Sequence, residues 1–148
     1  MNKILLRIIF MVVCLIVICI VSGCEYEPEE FVWHEIGDIG EPAFENGWLN
    51  ATGAYETGAF GIDGLGFVHL KGLLNDSSYS SYAIIFYLPE GYRPERTLLF
   101  DVYAPSGSDD SGSLLVYNDG SIALDDPGTA PYSSAAVSLD GVIFFTEQ

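Results

Sequence analysis

From about residue 31 onward the sequence predicts an all-β domain, on three observations. β-Branched and aromatic residues dominate the apolar runs, several runs alternate apolar and polar with a period of two, and Gly, Pro, Asp and Ser interrupt them at short intervals. No segment there carries the spacing of a long amphipathic helix. Short strands broken in this way suit an antiparallel β-sandwich, jelly-roll-like and of about 8–10 strands, or a small barrel. No internal repeat is visible, and residues 31–148 are enough for one core and too few for two.

Each element has its own physical reason. Trp48 follows Gly47 and is expected to bury its ring in the core, with sugar stacking as the alternative. Phe67 to Leu73 places Val68 and Leu70 on one face and Phe67, His69 and Lys71 on the other. Tyr82 to Leu88 is a strand that stops at Pro89, which cannot donate to a central ladder. Pro89, Gly91 and Pro94 then form a turn. Thr97 to Tyr103 sets Leu98, Phe100 and Val102 against Leu99, Asp101 and Tyr103, the pattern of a half-buried strand. Leu114 to Tyr117 and Ser121 to Leu124 flank Asn118-Asp119-Gly120, whose Asp-Gly pair supplies the positive φ of a tight hairpin. Ala135 to Leu139 and Val142 to Phe145 flank Asp140-Gly141, a second hairpin signal.

Two stretches, Asn75 to Ser81 and Pro105 to Ser113, hold little that can be buried and read as exposed loops. Recognition concentrates on loops carried by a rigid scaffold. Asn75, Asp76, Tyr79, Ser108, Asp109 and Asp110 are therefore the candidate ligand contacts.

The first 30 residues are of a different kind. Lys3 and Arg7 precede an unbroken apolar run from Ile8 to Val21 that includes Cys14 and Cys19. A charged start followed by such a run predicts a signal peptide with a hydrophobic helix, and the run is short of the about 20 residues a bilayer span needs. Val21-Ser22-Gly23-Cys24 resembles the lipobox of bacterial lipoproteins. That resemblance implies cleavage between Gly23 and Cys24 and a lipid on the Cys24 thiol. The chain then divides into a signal peptide (1–23), a lipidated cysteine with an acidic tether (24–30) and a β-sandwich domain (31–148). The expected location is the bacterial envelope, with the domain on the extracytoplasmic side.

Processing would change the composition. It removes Lys3, Arg7, Cys14 and Cys19, leaving Lys71, Arg93 and Arg96 against 21 carboxylates, a formal charge of −18. A single remaining cysteine allows no disulfide within one chain, so packing must hold the domain. Such a surface repels nucleic acid and anionic lipid, which leaves cationic partners or neutral ones such as glycans. Arg93 is expected to pair with one of the many acids.

Catalytic and metal chemistry finds little support. His34 and His69 are the two histidines, and both fall in strand-like segments, His69 at a solvated position beside Lys71. No Gly-x-Ser-x-Gly elbow exists; Pro105-Ser106-Gly107-Ser108 has the wrong spacing. Carboxylate pairs able to cleave a glycoside arise by chance among so many acids, and nothing marks one pair out. Zinc would need clustered His and Cys. Calcium has weak candidates in Asp109, Asp110, Asp125 and Asp126, but no Asp-x-Asp-x-Asp-Gly frame, so the expectation is no bound metal, no cofactor and no enzymatic activity.

An ordered set of short motifs covers nearly the whole domain. Trp33-His34-Glu35-Ile36-Gly37, Glu41-Pro42-Ala43-Phe44-Glu45-Asn46-Gly47-Trp48, Gly66-Phe67-Val68-His69-Leu70-Lys71-Gly72, Leu88-Pro89-Glu90-Gly91-Tyr92-Arg93-Pro94, Asn118-Asp119-Gly120-Ser121 and Ser138-Leu139-Asp140-Gly141-Val142-Ile143-Phe144 follow one another. Together they resemble the C-terminal head domain of bacteriophage tail-fibre and tail-tip proteins. The resemblance implies a β-sandwich, often a homotrimer, that displays loops to a glycan or envelope receptor. In place of a phage fibre's long stem, this sequence carries a lipobox and a six-residue tether. A trimeric structural role in the envelope or in a prophage is the alternative to a binding and display module.

Overall fold

The computed structural model describes residues 30–76, 84–106, 109–125 and 135–146. Gly23, Cys24 and the signal segment lie outside the described residues, as do Tyr79, Ser108 and Asp126. The described residues form eleven strands: β1 (His34–Glu35), β2 (Trp48–Asn50), β3 (Ala59–Ile62), β4 (Phe67–Lys71), β5 (Leu73–Asp76), β6 (Ile84–Tyr87), β7 (Leu98–Ser106), β8 (Asp109–Val116), β9 (Ser121–Asp125), β10 (Ala135–Ser138) and β11 (Ile143–Phe145). They pair antiparallel in three sheets, ordered β1-β3-β4-β11, β10-β5-β2 and β6-β9-β8-β7.

The first two sheets are halves of one bent layer. β4 runs into β5 through Gly72, and β10 runs into β11 through Leu139 to Val142. Ser138 pairs with Leu73 on one side of the bend and Ile143 with His69 on the other. Strands that change sheet at a bend are how sandwiches make corners. Gly72 is required there: its φ is +103°, and a Cβ would run into the Thr57 carbonyl. Across the bend, Leu139 N–H donates to the Gly72 carbonyl and Leu70 N–H to the Val142 carbonyl.

The third sheet closes the sandwich over this layer. Phe60 on β3 stacks toward Phe86 on β6 at 6.5 Å, and Phe144 on β11 meets Phe100 on β7 at 6.3 Å. Between the layers lies one core that includes Trp48, Phe60, Leu74, Ile85, Phe86, Leu114, Ile122, Val137 and Leu139. Burying side chains of this size supplies about 1.5–3 kcal/mol each, and it must hold the described residues, none of which is a cysteine.

Much of the expected pattern is present. Val68 and Leu70 are buried while Phe67, His69 and Lys71 face outward, and β7 buries Val102 while exposing Leu99, Asp101 and Tyr103. β8 and β9 form the Asp119-Gly120 hairpin, closed by Gly120 N–H to the Tyr117 carbonyl. Trp48 is buried.

Other expectations are corrected. Asp140-Gly141 turns the chain, with Val142 N–H on the Leu139 carbonyl, but its flanking strands do not pair with each other. The run from Phe67 breaks at Gly72 into two strands. Pro105 to Ser113 is largely strand, because the polar residues of β8 find backbone partners on β7, Ser111 on Tyr103 and Ser113 on Asp101. Asn75 and Asp76 belong to β5, the middle strand of its sheet, opposite Ala136 and Ala135 on one side and Leu49 and Trp48 on the other. Arg93 donates its Nε–H to the Leu88 carbonyl at 2.9 Å, and its charge also acts on the Asp119 carboxylate.

Candidate functional site

The strand registers give the sandwich two distinct ends. β5 finishes at Asp76 beside Ala135, where β10 begins. In the facing sheet β6 begins at Ile84 opposite Ala123, and Asp125 lies opposite Ser113 on the way to the β7–β8 tip. Residues 77–83 join β5 to β6 and residues 126–134 join β9 to β10. The ends of β5, β7 and β9 and the starts of β6, β8 and β10 therefore lie at one end of the sandwich.

That end holds four of the candidate contacts read from sequence. Asn75 and Asp76 sit in β5 as it arrives there, and Asp109 and Asp110 open β8 on leaving the tip. Asp125 closes β9 opposite Ser113, three residues along the strand from Asp110, which does not bring it level with the Asp109-Asp110 pair. Among the described residues, no group of three or more His, Cys, Asp or Glu could hold a metal ion.

At the opposite end lie the Asp63 to Gly66 turn, Phe145, Thr146 and the first described residues, Glu30 to Val32. A cleft of about 810 Å³ opens among them, with His34 and Tyr92 in its wall. Asp63 organises the turn. Its Oδ1 accepts the N–H groups of Leu65 and Phe67, both at 2.9 Å, and its Oδ2 faces His69 Nε2 at 3.0 Å. These bonds, His69 first, hold the Asp63 carboxyl below the usual carboxylate range. His69 is thus half-buried and partnered, where the sequence suggested a solvated position.

His34 is bracketed in the same way. Its Nδ1 lies 2.8 Å from Glu41 Oε1 and its Nε2 3.0 Å from the Tyr92 hydroxyl. A carboxylate only accepts, so Nδ1–H donates to Glu41, and in the neutral ring Nε2 accepts from Tyr92. Burial, and then the Glu41 charge, pushes the Tyr92 hydroxyl above its usual range. Tyr92 is accordingly a neutral donor and a poor nucleophile. With Phe60 stacked under His34 at 5.2 Å and edge-on to Tyr92 at 4.9 Å, the group serves to fix the 89–94 turn to β1.

Sequence reasoning missed a strap across the outer face of the first sheet. Phe31 lies over Gly61, where a Cβ would come within 2.7 Å of its ring, and packs edge-on against His69 at 5.3 Å and Trp33 at 4.8 Å. Lys71 covers Trp33 at 4.7 Å and reaches Glu35 at 3.5 Å and Glu56 at 3.4 Å. The available signal was a glycine inside a strand, which marks close approach of another backbone, together with two aromatics directly after an acidic run.

No family model and no curated protein sequence matches the chain. A solved structure does: the receptor binding protein (gp15) of Listeria phage PSA superposes with a TM-score of 0.64, at 13% identity, over 93% of this chain and 78% of the phage chain. The fold resembles that of a phage receptor binding protein. The likeness to phage fibre heads in the ordered motifs therefore extends to the three-dimensional architecture. At 13% identity it is a statement about fold.

Proposed function

We propose that the protein is a non-catalytic, lipid-anchored binding module of a bacterial envelope. Cleavage before Cys24 and lipid on its thiol would leave residues 24–30 as the tether, and the sandwich would carry its recognition end away from the anchor. One observation carries this reading: the strand registers bring the ends of β5, β7 and β9 and the starts of β6, β8 and β10 to the end opposite Glu30. Loops at the far end of a rigid β-scaffold are where recognition is usually placed. The phage protein with this fold is a receptor binding protein, which supports the same role.

A formal charge of −18 after processing directs the choice of ligand toward neutral glycans or cationic envelope components, and away from nucleic acid. Tyr79, Ser108, Asp109 and Asp110 are the contacts to test first. Full-length lipoprotein in nanodiscs should retain bacterial or host glycans on an array, and Tyr79→Ala with Asp109→Ala/Asp110→Ala should lose at least about tenfold in apparent affinity, the loss of one good polar or stacking contact. Binding that survives these changes, or no ligand above background with or without calcium, overturns the proposal.

A further inference from the structure

The face that carries the strap exposes a group of large apolar side chains. Phe67 and Phe145 are register partners whose rings meet at 5.6 Å. Ile143 precedes them on the same outward row, opposite His69, and Trp33 continues the surface through Phe31. Leu65 stands at the rim with 77% of its surface exposed, and Phe145 and Ile143 are about half exposed. Single exposed apolar residues are ordinary, but a connected row of them marks an interaction surface. The charged groups on this face are paired: Lys71 holds Glu35 and Glu56, and Asp63 is held to His69.

We infer that this face rests on the bilayer interface, beside the anchor. The inference rests on the proposed lipidation of Cys24. Only the six residues 25–30 separate Cys24 from Phe31, a reach of about 20 Å, and the chain leaves the domain across this very face through Phe31 and Trp33. So short a link holds the face at an effective concentration in the millimolar range relative to the interface, where weak apolar docking is enough. Trp and Phe are suited to the headgroup boundary. The acidic body favours a zwitterionic surface over an anionic one. The domain is thereby oriented: with this sheet face down, the strands run along the membrane and the third sheet faces away from it.

The two tryptophans make the test direct, because Trp33 is on the face and Trp48 is in the core. Full-length lipidated protein is reconstituted in phosphatidylcholine vesicles with or without bromine on the upper acyl carbons. Flotation reports the anchor, and tryptophan emission reports the docking. The protein should float, and emission should fall by about twofold with brominated lipid as Trp33 reaches the interface. Trp33→Phe should abolish the quenching, and Ile143→Ser/Phe145→Ser should float equally while losing it. Flotation without quenching overturns the docking and leaves the anchor standing. Trp33 shielded from both acrylamide and brominated lipid, with copies that cross-link through this face, also overturns it and assigns the face to a second copy. Failure to float removes the lipidation reading, and this inference with it.

Discussion

Asp140 Oδ1 accepts the N–H of Gly72 at 2.8 Å, joining the outer side of one bent strand to the corner of the other. The bond satisfies a half-buried donor that the antiparallel ladder abandons where it turns. Ser138 Oγ in turn supports Asp140 through Oδ2 at 3.2 Å. Asp140→Ala should cost about 1–2 kcal/mol in urea unfolding, the range for removing a charged acceptor from such a donor, and Asp140→Asn should recover part of it. Equal stability for Ala and Asn would show that the acceptor is not what matters.

Gly72 itself should be far less tolerant. Any side chain there combines a φ of +103° with contact against Thr57 and Gly58 backbone. Gly72→Ala should lose about 3 kcal/mol or more, since neither layer half can shift without uncoupling β4 from β11 or β5 from β10. Guanidinium unfolding monitored at Trp48 reads the loss. A small effect would mean that the corner is plastic.

Phe60 is the pivot between core and cleft. It is fully buried, with His34, Tyr92 and Phe86 against its ring. Phe60→Ala should cost about 3–5 kcal/mol, as for other large core aromatics, and Phe60→Leu less. Thermal unfolding by circular dichroism tests the ranking. A mild Ala variant would contradict the packing described.

Acid should weaken the fold through Asp63. Its carboxyl is held below 3.8, chiefly by His69, then by Phe67 and Leu65 N–H, so the unfolded chain takes up that proton more readily than the folded one. The resulting stability is complete above 3.8 and is lost as pH falls through the lower, folded-state value. Asp119, lowered chiefly by Ser121, acts in the same sense. Urea midpoints taken between about pH 5 and about pH 2.5 should fall less steeply in Asp63→Asn than in the parent. Identical slopes would place the acid sensitivity elsewhere.

Local signals in the sequence located strands and turns well. The alternation from Leu98 to Tyr103 and the Asp119-Gly120 turn are both as expected, because burial period and positive φ are properties of a few adjacent residues. Partner choice is not local. Asp140-Gly141 states that the chain turns, while the Gly72 corner decides that β10 and β11 pair with β5 and β4 in place of each other. The polar strands were hidden for a related reason: Asn75, Asp76 and Asp109 to Ser113 are held by ladder hydrogen bonds, to which hydrophobic pattern is blind. His69 looked solvated because Asp63 lies across a turn whose shape the spacing alone does not give.

The bent layer also sets a schedule for folding. Val68 waits for Phe144 and Asp76 for Ala135, so the sheet bearing the Phe31 strap is completed by strands made long after its own. Closing such wide chain loops makes assembly slow. A ribosome that has not yet delivered Val142 leaves β4 with a bare edge, and a premature stop there would expose that edge to other chains.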